Sequence, residues 1–551
     1  MKKVVLKYKF SLTLVLFLLV SVASIYLTGL DGHIWSFLEM GNDGRFHVMR
    51  MQGLYEAIKY GNFFPIVNMS FLGGFGYISN VFYSNLWLYP VAFLRLTGMN
   101  TVQAFISFYI LINFVTFVIS FGAFYKASQR FDKSLIFSFV YTLSVYRIFD
   151  MVRRFDIGEV LTLTFLPIVI LGVYEIFYAD NSKWWYLTLG MTAVIYSHAL
   201  SPILIAIFIL LVIIFRLKTL FQQPKRILSL FYAGGVSLLL SLGYFLPIYE
   251  QLKHTQFKLT NAPLIYVSQS GMKVSDLVRL SLKNDLFKQN IGILMLIMAV
   301  MIPFIVWKAQ PVIRDFAFIG EILLIMTTDI FPWKLFIHTP LNMIQFPWRF
   351  NMLVTILFAV VLASDPKQWL NNFWKRGGVI VVTILMIFMA ELSLITNHPA
   401  QDDSYAAFNN LDVYSIGAGQ EYLPKDASLP QLRKTKHTPE IKSGTVKIKN
   451  FQQNGSSVKL HFTDAKNSVI DLPIIGYYGY TSDSSIGQVS KVKMDLNNNG
   501  LAQVKVNGSG ILQVDYQKTP IQKISKLISL ISFLIMIIWL FRRNRVSSRV
   551  K

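Results

Sequence analysis

The chain has 551 residues, of which 54% are hydrophobic, and it carries a formal net charge of +23 and no cysteine. This composition is too apolar for an ordinary soluble enzyme, and the lack of thiols excludes disulfides, thiolate metal sites and a cysteine nucleophile. The basic residues fall where short cytoplasmic loops of a membrane protein are expected, so the charge predicts topology and no nucleic-acid partner.

The first predicted span covers about residues 10–30. Four lysines between residues 2 and 9 precede it, which places the N-terminus inside the cell and the following loop outside. The Val-Ala-Ser sequence at residues 22–24 would also suit a signal-peptide cleavage site. A retained span is the preferred interpretation, because many later apolar segments hold the chain in the membrane in either case.

The later spans are placed so that each basic connection falls inside. They lie at about residues 102–125, 135–148, 160–177, 186–196, 203–215, 227–247, 291–307, a segment ending near 332, 353–363, 379–395 and 524–541. The sequence thus predicts an all-α polytopic protein with about twelve transmembrane helices and both termini inside. Residues 81–96 are taken as a helix that lies in or dips into the outer leaflet.

Three predicted regions follow from this topology. Residues 1–395 form a transmembrane domain with external loops at 31–100, 149–159, 248–290 and 332–350. Residues 396–520 form an extracytoplasmic β-rich domain, because alternation such as Val446-Lys447-Ile448-Lys449 is typical of strands. Residues 521–551 form the last helix and a basic cytoplasmic tail.

The first external loop contains the run Gly-Asn-Asp-Gly-Arg-Phe-His at residues 41–47 and then a helical pattern that ends near Lys59. Asp43 stands at the start of this helix, where aspartate often caps the backbone. Arg45, His47 and Arg50 flank it, so Asp43 also suits a general base beside a phosphate-bearing donor. Both roles remain open from the sequence, and the helix is predicted to lie along the membrane surface.

The second external loop places Arg153 and Arg154 outside, against the inside-positive trend. They either pair with Asp150, Asp156 and Glu159 or bind an anion. Glu159 stands at the membrane boundary, where a carboxylate is costly unless it is paired, hydrated or functional.

The third external motif is Gln345-Phe346-Pro347-Trp348-Arg349. Trp and Arg are both common at membrane interfaces as anchors, which is the structural interpretation. A guanidinium also matches a phosphate well, which is the functional one. His198 is a weaker candidate, because a lone histidine at a helix end more often makes a structural hydrogen bond.

These residues resemble a known group of membrane enzymes. An early acidic residue in a long first loop and an acidic residue in the second are similar to the GT-C superfamily of glycosyltransferases. The chain also resembles bacterial membrane proteins labelled 6-pyruvoyl-tetrahydropterin-synthase-related, with the YfhO-like family as a near neighbour. The motifs that carry this likeness are Arg154 with Gly158-Glu159, Leu166-Pro167, the Gln345–Arg349 string and Gly-Ala-Gly-Gln-Glu-Tyr-Leu-Pro at 417–424.

The resemblance implies GT-C architecture in a bacterial plasma membrane with an extracytoplasmic active site. It implies transfer of a sugar, with inversion, from a polyprenyl-phosphate-linked donor to a cell-envelope glycopolymer or glycolipid. Asp43 would act as base, while Arg349 with Arg50, Arg153 or Arg154 would hold the phosphate. Arg45, His47, Asp156, Glu159, Gln345 and Trp348 complete the expected substrate site.

This scheme requires no cofactor. In a less favoured arrangement, Asp43 and Glu159 share a divalent metal. The Trp-Trp-Asp tripeptide of oligosaccharyltransferases does not occur in the sequence, so transfer to protein asparagine is not expected. Two other classes stay open, namely a polysaccharide or lipid transporter or flippase, and a non-catalytic cell-envelope scaffold.

Overall fold

A computed structural model describes residues 2–27, 42–261, 264–398, 411–486, 494–496 and 499–549. Parts of several predicted elements lie outside these ranges. They are the end of the first span, the start of loop 31–100, two residues of loop 248–290, the start of the β-rich region and two short stretches within it, and the end of the tail.

Helices account for most of the described chain. The main ones are α1 (Lys2–Tyr26), α2 (Gly44–Lys59), α3 (Tyr89–Leu96), α4 (Thr101–Ser128), α5 (Phe131–Thr142), α6 (Val145–Phe149), α7 (Ile157–Phe177), α8 (Trp185–Ile195), α9 (Ser201–Gln222), α10 (Lys225–His254), α11 (Val274–Lys283), α12 (Gly292–Ile305), α13 (Pro311–Met326), α14 (Asn351–Ser364), α15 (Phe373–Asn397) and α16 (Pro520–Arg549).

Within the described ranges, eight helices are long and apolar enough to cross a membrane, or nine if α5 and its bent continuation form one span. This fits a multi-pass membrane protein. A helix lies at each of the twelve predicted crossings, but α8, α12 and α13 have only 11, 14 and 16 residues. Helices of that length rise about 16–24 Å, which is less than the roughly 30 Å hydrocarbon core.

Two compact units divide the chain, and they do not follow the predicted domain boundaries. The first unit contains residues 1–44, 99–237 and 263–410, and the second contains 45–98, 238–262 and 411–551. Residues 45–98 of the predicted first loop therefore belong with the end of α10, the β-rich segment and the last helix.

In the first unit, α7 and α8 pack closely because glycines line their contact. A Cβ on Gly172 would lie 2.2 Å from the backbone nitrogen of Leu187, and one on Gly190 would lie 2.7 Å from that of Val169. Only glycine allows the two backbones to approach this far. The N-terminus of α7 is capped by Asp156, whose carboxylate accepts from the Glu159 N–H at 3.2 Å.

The chain also bends sharply after α5. Residues Val145–Arg154 continue as a helix tilted by 41° from α5, where the sequence predicted one straight crossing followed by a loop. Arg147 is fully buried just after the bend. Its guanidinium donates to Asn113 Oδ1 at 2.7 Å, Thr116 Oγ1 at 3.0 Å and the carbonyl of Thr142 at 3.1 Å. These neutral acceptors solvate a charge that water cannot reach.

The second unit contains an antiparallel sheet, which confirms strands late in the chain. Its described strands are β1 (Glu440–Asn454), β2 (Ser457–Ile475), β3 (Tyr480–Ile486), β4 (Met494–Leu496) and β5 (Leu501–Tyr516). They are ordered β1-β2-β5-β3, and β4 also pairs with β5. Alternation sets the faces, because Val458, Leu460 and Phe462 are buried while Lys459 and His461 between them are not.

Helix α2 has the predicted apolar face, but this face packs inside the protein. Val48, Met51 and Ile58 are buried as the spacing indicates. Phe46 and Met49 belong to the hydrophobic core that includes the sheet strands. The prediction of a helix was therefore right, but α2 is a core element of the second unit rather than a helix lying freely on the membrane.

Candidate functional site

The candidate site in the first unit is organised around the buried side chain of Arg154. Its guanidinium lies 2.5 Å from Glu159 Oε2, 3.1 Å from Asp156 Oδ2 and 3.3 Å from Asp150 Oδ1. These three carboxylates are almost fully buried. The predicted pairing of the second-loop arginines with acidic residues therefore describes Arg154.

Glu159 connects Arg154 to the third predicted motif, which contains Arg349. Its Oε1 accepts a hydrogen bond from the Tyr146 hydroxyl at 2.5 Å, and its Oε2 lies 3.5 Å from Arg349 Nε. Both guanidinium groups thus reach the same carboxylate, although Arg349 lies about 190 residues further along the chain. This convergence offsets the cost of a buried charge at the first turn of α7.

Arg349 is positioned by the turn that Pro347 begins. Residues Pro347–Phe350 form a 3₁₀ turn that leads directly into α14, with proline in the first turn, where its missing N–H is not needed. The Arg349 side chain is only 7% exposed and donates to the Ile344 carbonyl at 3.1 Å. Trp348 packs over Arg154, with the guanidinium carbon 4.7 Å from its ring centre. Gln345 occupies the left-handed region before this turn, at φ 58°.

His198 closes another side of the cluster. Gly158 lets its loop approach, because a Cβ there would lie 3.0 Å from the Ser197 carbonyl and 3.2 Å from the imidazole of His198. The ring makes a 2.7 Å hydrogen bond with Ser201 Oγ and lies 3.8 Å from Asp156 Oδ2. Burial, aided by the nearby Arg349 charge, lowers the pKa of His198 to about 4, so the ring is neutral at pH 7.

Asp43 and Arg153 form the more exposed part of the same site. The Asp43 carboxylate is 38% exposed and lies 4.0 Å from Arg154 Nε, and its backbone N–H donates to the Arg154 carbonyl at 3.1 Å. Arg153 is partly exposed, donates to Asn42 Oδ1 at 3.3 Å and stacks on Phe287 at 4.4 Å. The solvent-exposed carboxylate of Asp43 and the partly exposed guanidinium of Arg153 therefore lie beside the buried ionic cluster around Arg154.

The site combines four carboxylates with three guanidinium groups, those of Arg153, Arg154 and Arg349. Asp150 Oδ2 is buried and has no hydrogen-bond partner among the residues described. Over those same residues, no group of three or more His, Asp or Glu side chains is arranged to hold a metal ion. Arg154 contacts both Asp43 and Glu159, so its guanidinium lies between the two carboxylates for which a shared divalent metal was the less favoured arrangement.

The remaining predicted residues belong to the second unit. Arg50 is buried and donates to the carbonyls of Tyr83 at 3.2 Å and Ser84 at 2.9 Å, and it lies 3.1 Å from His47 Nδ1. His47 is buried as well, whereas Arg45 is exposed. The polar contacts of Arg50 are typical of a structural arginine that organises the loop after residue 82.

Three members of the cluster were not predicted as site residues. Tyr146 lies in a segment read as an apolar span, Asp150 was considered only as a pairing partner, and His198 was considered structural. Each joins the site through the bend after α5 or the close approach at Gly158, and neither feature has a periodic signal in the sequence. The excess of acidic residues around Arg153-Arg154 was the available clue.

No protein-family model matches the sequence, and no curated protein matches it. The chemistry must therefore be argued from the site itself. The solvent-exposed Asp43 carboxylate suits proton abstraction, and the nearby Arg153 guanidinium suits a phosphate. The buried ionic cluster around Arg154 holds both in place.

Proposed function

We propose that this protein is a membrane glycosyltransferase of the GT-C type, which moves a sugar from a polyprenyl-phosphate-linked donor to a cell-envelope glycopolymer or glycolipid. The observation that carries the proposal is the meeting of Asp43, Arg154, Glu159 and Arg349 in one network. These residues come from three separate predicted external motifs. Ionic groups brought together from distant segments at the ends of apolar helices favour a functional site.

In the proposed topology about twelve helices cross a bacterial plasma membrane, with both termini inside and the site on the outer face. The short helices α8, α12 and α13 would cross with their ends buried in protein rather than in lipid. The β-rich segment would lie outside and bind the acceptor.

In the proposed reaction Asp43 takes the proton from an acceptor hydroxyl. The acceptor oxygen then forms a bond to the anomeric carbon of the sugar, while the bond between that carbon and the phosphate oxygen breaks. The electron pair leaves with polyprenyl phosphate, whose charge needs a cation. Attack opposite the leaving group inverts the anomeric carbon.

Arg153 is the cation best placed for that phosphate. It is partly exposed, and within the described part of the chain its guanidinium donates to the neutral Asn42 side chain rather than to a carboxylate. Arg154 and Arg349 are buried and lie against carboxylates, so they serve here as positioning residues. This assignment moves the phosphate role from Arg349 to Arg153.

The test uses protein reconstituted in nanodiscs, with synthetic polyprenyl-phosphate hexoses as donors and extracted envelope glycolipids as acceptors. Asp43→Asn should reduce transfer by about 10²–10⁴-fold while polyprenyl phosphate still binds. Arg153→Gln should weaken polyprenyl-phosphate binding about tenfold or more, because a hydrogen bond to a charged group is lost.

One ion pair on α11 offers matched controls. Asp276 and Arg279 are exposed and lie 2.8 Å apart in the same unit. Asp276→Asn and Arg279→Gln should change neither binding nor transfer. Full transfer by Asp43→Asn would remove the base role, and unchanged binding by Arg153→Gln would remove the phosphate role.

Transport is the second candidate, and one observation favours it. Glu391 in α15 is buried, and neither carboxylate oxygen has a hydrogen-bond partner in the described part of the chain. Unpaired intramembrane acids are frequent in proton-coupled carriers. Movement of a fluorescent polyprenyl-phosphate sugar across proteoliposomes, lost in Glu391→Gln and kept in Asp43→Asn, would establish transport instead.

A further inference from the structure

An exposed aromatic surface lies in the second unit, outside the candidate site. Tyr60, Phe63 and Phe64 follow α2 and are 75%, 51% and 61% exposed. Phe93 and Leu96 of α3 are 50% and 44% exposed. Single exposed apolar residues are ordinary, but a cluster of them requires a cover.

Contacts through Tyr89 join Phe63, Phe64 and Phe93, while Tyr60 and Leu96 lie three residues from Phe63 and Phe93 along the chain. The Tyr89 hydroxyl donates to the Phe63 carbonyl at 2.5 Å, and the rings of Phe64 and Tyr89 lie 6.4 Å apart. Tyr89 in turn lies 6.1 Å from Phe93 on the next turn of α3. The opposite side of α3 is anchored in protein, since Val91 and Ala92 are buried.

The position of this surface along the candidate spans follows from its contact with the start of α16. Lys518, two residues before that helix, lies over the Phe64 ring at 5.4 Å. Thr519 donates to Glu250 near the end of α10 at 2.7 Å, so the polar ends of two candidate spans meet at this level. The aromatic surface therefore lies beside the start of α16, where the ends of two candidate spans, α10 and α16, meet.

We infer that Tyr60, Phe63, Phe64, Phe93 and Leu96 form a membrane-interface surface that rests in the headgroup region of the bilayer. Aromatic rings with nearby lysines are the residues that membranes favour at this depth. A lipid surface is the occupant because the cluster lies against the start of α16, a candidate membrane span whose end meets that of a second candidate span, α10. This inference is independent of the proposed glycosyl transfer.

The natural sequence contains no cysteine, so spin labels can be attached at single introduced cysteines without background. Phe64→Cys and Phe93→Cys report on the surface. Leu530→Cys, about 15 Å along α16 from Pro520, reports on the bilayer interior. Ile441→Cys, on exposed strand β1, reports on water. Each full-length variant is placed in nanodiscs, one copy per disc, and its accessibility to oxygen and to a water-soluble nickel complex is measured.

The ratio of oxygen to nickel accessibility should rise several-fold from position 441 to positions 64 and 93, and rise again at position 530. Values at 64 and 93 equal to the value at 441 would overturn the inference. Low accessibility to both reagents, with spin–spin broadening at higher protein loading, would show that a second copy covers the surface and would overturn it as well. Leu96→Cys repeats the measurement if Phe64→Cys does not fold.

Discussion

Replacing Arg154 should destabilise the first unit much more than replacing its neighbour Arg153. At an effective dielectric of about 20, an ionised carboxylate at 2.5–3.3 Å would attract the Arg154 guanidinium by about 5–7 kcal/mol. Three buried carboxylates lie within 3.3 Å. Desolvation and repulsion between the acids offset most of this gain, so Arg154→Met should lower the free energy of unfolding by about 3–5 kcal/mol, the usual cost of breaking a buried ionic pair.

Arg153→Met is the matched control, because this side chain is partly exposed and donates to the neutral amide of Asn42. Its removal should cost less than about 1 kcal/mol. The assay is a denaturant titration of both variants in mixed micelles, with tryptophan fluorescence as the signal that reports unfolding.

A second substitution tests the cause of the loss. Adding Glu159→Gln to Arg154→Met removes one of the acids left without its cation and should recover part of the lost stability. Equal stability of the two single variants, or a further loss in the double variant, would refute the view that Arg154 neutralises a buried acidic cluster.

Three further substitutions test separate parts of the first unit. Gly172→Ala should lower the free energy of unfolding by about 1–3 kcal/mol or prevent folding, because the added Cβ would meet the backbone of Leu187. Gly122→Ala is the control in the same titration: nothing lies within 4 Å of its Cβ position, so it should leave stability unchanged or raise it slightly. Tyr146→Phe should cost about 1–3 kcal/mol by leaving Glu159 Oε1 without its 2.5 Å donor, and equal stability would show that the bond contributes nothing. The buried His198 has its pKa lowered from 6.5 to about 4, so the unfolded chain binds the extra proton and stability should fall by on the order of 3 kcal/mol as the pH drops from 6.5 to 4. His198→Gln should flatten that slope in unfolding measurements across this range, and an unchanged slope would assign it to other groups.

The sequence predicted the helices well wherever apolar length was the signal. The predicted crossings at 102–125, 160–177 and 379–395 lie within α4, α7 and α15. The bend after α5 could not be predicted, since it depends on tertiary contacts of Arg147 with α4 rather than on any break in hydropathy. Burial of α2 residues in the core that includes the sheet was also missed, because an amphipathic pattern does not tell whether its apolar face meets lipid or protein.

The site was predicted in part for similar reasons. Charges that oppose the inside-positive trend drew attention to Arg153 and Arg154, and the cost of a carboxylate at the membrane boundary drew attention to Glu159. Exposure separates the two adjacent arginines, and only coordinates show that Arg154 is enclosed by acids while Arg153 reaches solvent.

The buried Arg147 has a consequence for how the protein is assembled in the membrane. Its three acceptors, on Asn113, Thr116 and Thr142, all precede it in the chain. An unpaired arginine faces a penalty of about 2.5–3.5 kcal/mol at the centre of a span on insertion scales, and part of that penalty applies to Arg147 near the outer end of its predicted crossing. Because α4 is synthesised first, it can wait beside the translocon and receive the arginine as α5 and α6 emerge, so the order of synthesis itself supplies the solvation that lipid lacks.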